Sequence, residues 1–88
     1  MSRIRKRFER LLNNPVGVKW DELTTIMEYF GCIVTPPSSG SHWIVSYPGL
    51  VKRISVPVHN NTVKSVYVKA LMKLVQEIDL RDELEEES

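Results

Sequence analysis

In Arg53-Ile54-Ser55-Val56-Pro57-Val58 the aliphatic residues Ile54, Val56 and Val58 alternate with Arg53, Ser55 and Pro57. Successive side chains of a strand point to opposite faces, so this run predicts a strand with one face on a core and the other in water. Such a strand cannot stand alone. It needs neighbouring strands and a layer packed over its apolar face. We read it over Val51 to Val58, after the Pro48-Gly49 turn, with Pro57 marking an edge position or the strand's end. Upstream, Ser38-Ser39-Gly40-Ser41 reads as a turn leading into a β-branched and aromatic strand, His42 to Tyr47. Cys32 to Thr35 is a short strand closed by Pro36-Pro37. Because Trp43, Ile44 and Val45 are all apolar, the facing of the second strand stays open; if His42 lies on the open face, so does Ile44.

Three segments carry helical spacing. Arg3 to Leu12 places Ile4, Phe8, Leu11 and Leu12 among Arg3, Arg5, Lys6, Arg7 and Arg10. Trp20 to Phe30 has an apolar stripe of Trp20, Leu23, Ile26, Met27 and Phe30, with Asp21 and Glu22 in its first turn and Gly31 as its stop. Thr62 to Asp79 places Val63, Val66, Tyr67, Ala70, Leu71, Leu74 and Ile78 on one stripe, with Asn60 and Asn61 read as capping residues before it. The order α-α-β-β-β-α predicts an α+β fold, a three-stranded antiparallel sheet with helices on one face. Arg81 to Ser88 is too charged to pack and is expected to fray.

An 88-residue chain is one domain near the small end of what folds unaided. No run of about 18 apolar residues could span a membrane, and the basic N-terminus lacks the apolar segment of a secretory signal. A single cysteine, Cys32, excludes an internal disulfide, and no cluster of Cys or His offers a metal site. A cytoplasmic protein without a cofactor is expected. The net charge of +1 conceals an asymmetry: from Glu77 onward seven carboxylates face one arginine, whereas eleven Lys or Arg before it face four carboxylates. The body is thus basic, which favours a polyanionic partner. Three segments follow: a basic extension (1–19), a core (20–79) and an acidic tail (80–88).

The chemistry centres on two histidines, because an unperturbed imidazole exchanges a proton near neutral pH without help from a cofactor. His42 stands where a Gly-containing turn enters a strand. Either it moves protons or the turn's own hydroxyls satisfy it. His59 is a second catalytic group, a phosphate contact, or a bridge between turn and helix. Ser39, Gly40 and Ser41 either present backbone N–H groups to an anion or form an ordinary turn. Ser41 is no hydrolase nucleophile, since Gly-x-Ser-x-Gly is missing. Lys52, Arg53, Lys64 and Lys69 are phosphate-contact candidates, expected around one end of the sheet. Trp43 and Cys32 read as packing residues.

Gly40-Ser41-His42-Trp43, then Val56-Pro57-Val58-His59-Asn60-Asn61, then Val66-Tyr67-Val68-Lys69 resemble, in order and spacing, the HicA family of bacterial toxins. The resemblance spans roughly Trp20 to Ile78. It implies a fold similar to double-stranded RNA-binding domains and a metal-independent endoribonuclease acting on messenger RNA in the bacterial cytoplasm. It also implies a HicB-like antitoxin protein that covers the active-site histidine. His42 matches the family's catalytic position, and the Arg3–Leu12 helix would be an addition to the shared core. Two other functions fit the same residues: a non-catalytic double-stranded RNA-binding module, and an adaptor that docks through its acidic tail.

Overall fold

The computed structural model describes the backbone from Arg3 to Glu87 and the side chains from Ile4 to Asp79. Along the chain run α1 (Arg3–Asn13), α2 (Trp20–Tyr29), β1 (Ile33–Thr35), β2 (His42–Ser46), β3 (Arg53–Pro57) and α3 (Ser65–Glu87). The strands form one antiparallel sheet in the order β1-β2-β3. The α+β architecture expected from the alternation is therefore present. Among the described residues no helix is long and apolar enough to cross a membrane.

Register decides the facing that β2 alone left open. Trp43 pairs with Val56 and Val45 with Ile54, and Val45 and Val56 are fully buried. Those residues, with Val34 of β1, face the helices. His42, Ile44 and Ser46, with Ser55, Arg53, Ile33 and Thr35, occupy the open face. Pro57 is both at the edge and at the strand's end. It tolerates the place because the next pair along, Ser41 and Val58, is the hydrogen-bonded one: the Val58 N–H donates to the Ser41 carbonyl at 3.0 Å. The His42–Pro57 pair is thus a non-hydrogen-bonded pair, where the absent proline N–H would have pointed away from β2. The strand starts at Arg53, two residues later than expected, and leaves Val51 wholly exposed.

On the buried face α2 packs by β1 and α3 by β3, while α1 bridges α2 and α3 from behind. In α2 the apolar stripe is the expected one: Trp20, Leu23, Ile26 and Met27 are buried. Gly31 ends the helix at φ 91°, where a Cβ would lie 3.2 Å from Tyr47 Cε1. Helix α1 is no mere appendage. Phe8 and Leu11 belong to the common core, and Phe8 meets Phe30 with ring centroids 5.7 Å apart.

Helix α3 departs most from expectation. It starts at Ser65 because Thr62 is held in bridges to His59 and Lys19. Its buried residues are Val68, Leu71, Met72, Leu74, Val75 and Ile78, whereas Val66 is 63% exposed. A single stripe was expected, but the helix is covered by β3, α2 and α1 together, so the buried arc is wider and turned away from Val66. Its backbone also continues past Asp79 to Glu87, where fraying was expected. Leu, Arg and Glu are good helix formers, and extending a helix already nucleated costs little. The remaining tail residue, Ser88, lies outside the described residues.

Candidate functional site

The start of β2 and the end of β3 meet at one end of the sheet, and most candidate residues gather there. His42 opens β2, exposed on the open face, and makes no side-chain hydrogen bond or ion pair among the described residues. The turn does not satisfy its imidazole. Opposite stands Pro57, with Cα atoms about 4.5 Å apart in a pair of this type. Ser39 and Gly40 precede it in an exposed bend, and Ser41 accepts the Val58 N–H through its carbonyl. Gly40 has φ 77° with open space where a Cβ would stand, so conformation rather than crowding calls for glycine.

His59 lies two residues past Pro57. There β3 has ended; Val58 packs against the core and His59 is exposed. His59 and Thr62 exchange backbone hydrogen bonds at 3.3 and 2.9 Å, and the Thr62 hydroxyl also donates to the His59 carbonyl. Between them Asn60 and Asn61 take φ 52° and 60°. Two consecutive left-handed residues make the two-residue hairpin turn that asparagine tolerates better than most side chains.

Asn61 does not cap α3, as the sequence predicted for the Asn60-Asn61 pair. It caps α2. Its carbonyl accepts the Trp20 N–H at 2.8 Å and its side-chain Oδ1 accepts the Asp21 N–H at 3.0 Å. The α2 N-cap residue, Lys19, supplies no side-chain acceptor, so the helix takes one from forty residues away. Behind His42 the Trp43 ring meets Trp20 of the same helix turn at 5.5 Å and 58°. Trp20 was read only as part of a stripe; no local signal links it to β2.

The cations are more scattered than expected. Lys64 lies just before α3 and near the His59 turn. Arg53 shares the open face but stands at the other end of β3, about 13 Å from Pro57 for a four-residue strand step. Lys52 pairs with Glu77 of α3 at 3.2 Å. Lys69 lines a groove between α1 and α3 with Leu11, Leu12, Met72, Lys73 and Gln76. Cys32 is buried away from the site, and burial pushes its thiol up to about 11. Among the described residues no three of His, Cys, Asp and Glu gather as a metal site would require.

This is a small α+β domain with an exposed imidazole on the open face of a short antiparallel sheet, beside a glycine turn. Residues 20–76 match the family model for the HicA toxin of bacterial toxin-antitoxin systems, and the chain belongs to that family. The match starts at the first residue of α2 and ends within α3, leaving α1 outside it. No curated protein and no solved structure matches the chain.

Proposed function

We propose that this toxin is an endoribonuclease that cleaves messenger RNA in the bacterial cytoplasm, with His42 moving the proton. A single observation carries the reading: within the stretch that the family model covers, His42 is exposed, unpartnered and held by a strand. RNA supplies its own nucleophile. A base takes the proton from the ribose 2′-hydroxyl, the oxygen attacks the neighbouring phosphorus, and an acid protonates the departing 5′-oxygen. One imidazole can serve either step, and the residues assembled here require no metal for it. His59, two residues beyond the Pro57 that stands opposite His42, suits the other step or a contact to the same phosphate. Backbone N–H groups of Ser39, Gly40 and Ser41 favour the charge that develops on the phosphorane. Arg53 and Lys64 suit the flanking phosphates; Lys52 and Lys69 are weaker candidates, one paired and the other behind the sheet. Family membership points to a HicB-like antitoxin as partner, and an acidic surface on it would suit the basic body.

The test is cleavage of single-stranded RNA in EDTA by the parent chain and by His42→Ala. The parent cuts and the variant does not, with a nearly unchanged melting temperature because the exposed imidazole makes no hydrogen bond or ion pair among the described residues. Tight binding of double-stranded RNA with no cutting by either protein would replace this reading with that of a passive RNA-binding module. No binding at all would favour an adaptor.

A further inference from the structure

The first turn of α2 braces both segments that carry histidines. It reaches β2 through the Trp20–Trp43 ring contact, one residue from His42. It reaches the His59 turn through Asn61, which gives the helix two acceptors, one from the main chain and one from the side chain. The bridge between Lys19 and Thr62 continues the same seam. Besides this seam the turn is held at its flanks, by Val58 packed on the core and by buried Val63. His59, Asn60, Asn61 and Thr62 are all exposed, and the ladder of β3 has ended at Pro57. A two-residue hairpin with one bridge is marginal unless something anchors it.

From this geometry we infer that Asn61 is a positioning residue for His59: by capping α2 it ties the second imidazole to the helix that backs His42. The inference rests on the nuclease reading for its effect on rate, though not for its effect on structure. Asn61 acts through the turn and not on the substrate. Its side chain holds the turn in register, so the two imidazoles keep the spacing that one phosphodiester needs. Loss of that register displaces His59 and lowers turnover, while RNA binding through the surrounding cations is retained.

Four variants separate positioning from plain stability. Asn61→Gly keeps the left-handed conformation and removes the side-chain acceptor. Asn61→Asp restores an acceptor. Asn60→Gly alters the same turn without touching the cap. Lys19→Asp combined with Asn61→Gly gives α2 a cap of its own, so the domain stays folded while the side-chain part of the tether is missing and the Trp20 N–H bond to the carbonyl of residue 61 remains. The expected result is a fall in kcat of about ten-fold or more for Asn61→Gly and for the double variant, with KM nearly unchanged. Asn61→Asp and Asn60→Gly stay near the parent. Amide hydrogen exchange supplies a readout independent of cleavage: the His59 and Thr62 N–H groups lose protection in Asn61→Gly and in the double variant. Parent-like kcat in the double variant would reduce Asn61 to a helix cap and overturn the inference. If the parent does not cut RNA, the nuclease reading fails and the exchange data alone decide. Unchanged protection at His59 and Thr62 then overturns the tether, and lost protection supports it.

Discussion

Single side chains divide between those that reach solvent with nothing to stabilise and those that the core holds shut. His42 is of the first kind; Cys32 is of the second. Burial favours the neutral thiol, so its value rises from 9.0 to about 11. The sign follows from which state ionises first. The unfolded chain loses the thiol proton near 9 while the folded chain keeps it, so the thiol's contribution is complete below pH 9 and is lost as pH rises toward 11. The urea midpoint of the parent should therefore fall across that window by more than that of Cys32→Ala. Below it, the native thiol should react with a disulfide reagent far more slowly than the unfolded chain does. Rapid labelling at pH 8 would show that Cys32 is not enclosed. Neither property was legible beyond the expectation of a small buried residue, because burial at position 32 depends on α2 and β1 packing together.

Among the elements, α1 carries the sharpest consequence, since it lies outside the matched stretch and still completes the core. Arg5 joins Asp79 at 2.9 Å and Arg10 joins Glu22 at 2.7 Å, so α1 is pinned to α3 and to α2. Those pairs are partly exposed, and each is worth about 0–1 kcal/mol. Apolar burial dominates. Phe8→Ala should cost about 3–5 kcal/mol, a large part of the ~5–15 kcal/mol available to a small domain, whereas Arg5→Ala should cost about 1 kcal/mol or less. Urea unfolding followed by circular dichroism measures both. Equal effects would mean that α1 is held by charge rather than by packing. The amphipathic spacing of α1 was readable, but its place behind α2 and α3 was not. That placement also explains why a single apolar stripe on α3 was the wrong expectation.

Over the whole molecule, the far end of α3 and the histidines lie well apart on a body 43 Å long. Helix α3 begins three residues after Thr62, beside the His59 turn, and its 23 residues span about 33 Å before Glu87. A continuous helix cannot fold its acidic end back onto the histidines of its own chain. Removing residues 80–88 should therefore strengthen RNA binding only through long-range attraction. The gain should be a few-fold at about 10 mM salt, where the Debye length is ~30 Å, and should vanish by physiological salt, where it is ~8 Å. Filter binding across a salt series reads this; a gain that persists at physiological salt would mean direct masking of the site. On the same assay Arg53→Ala should weaken binding more than Lys52→Ala, because Lys52 is already engaged with Glu77.

The element order, the one-sided sheet and the family were legible along the chain, because period-two and helical spacings are local and the Gly40-Ser41-His42-Trp43 stretch is contiguous. Tertiary structure decided the rest. Which face of β2 bears His42 followed from its pairing with β3, and the partner of Asn61 followed from a helix forty residues away. The breadth of the buried arc on α3 followed from three neighbours at once. Each is a contact between distant parts of the chain, and no spacing within a single segment encodes it.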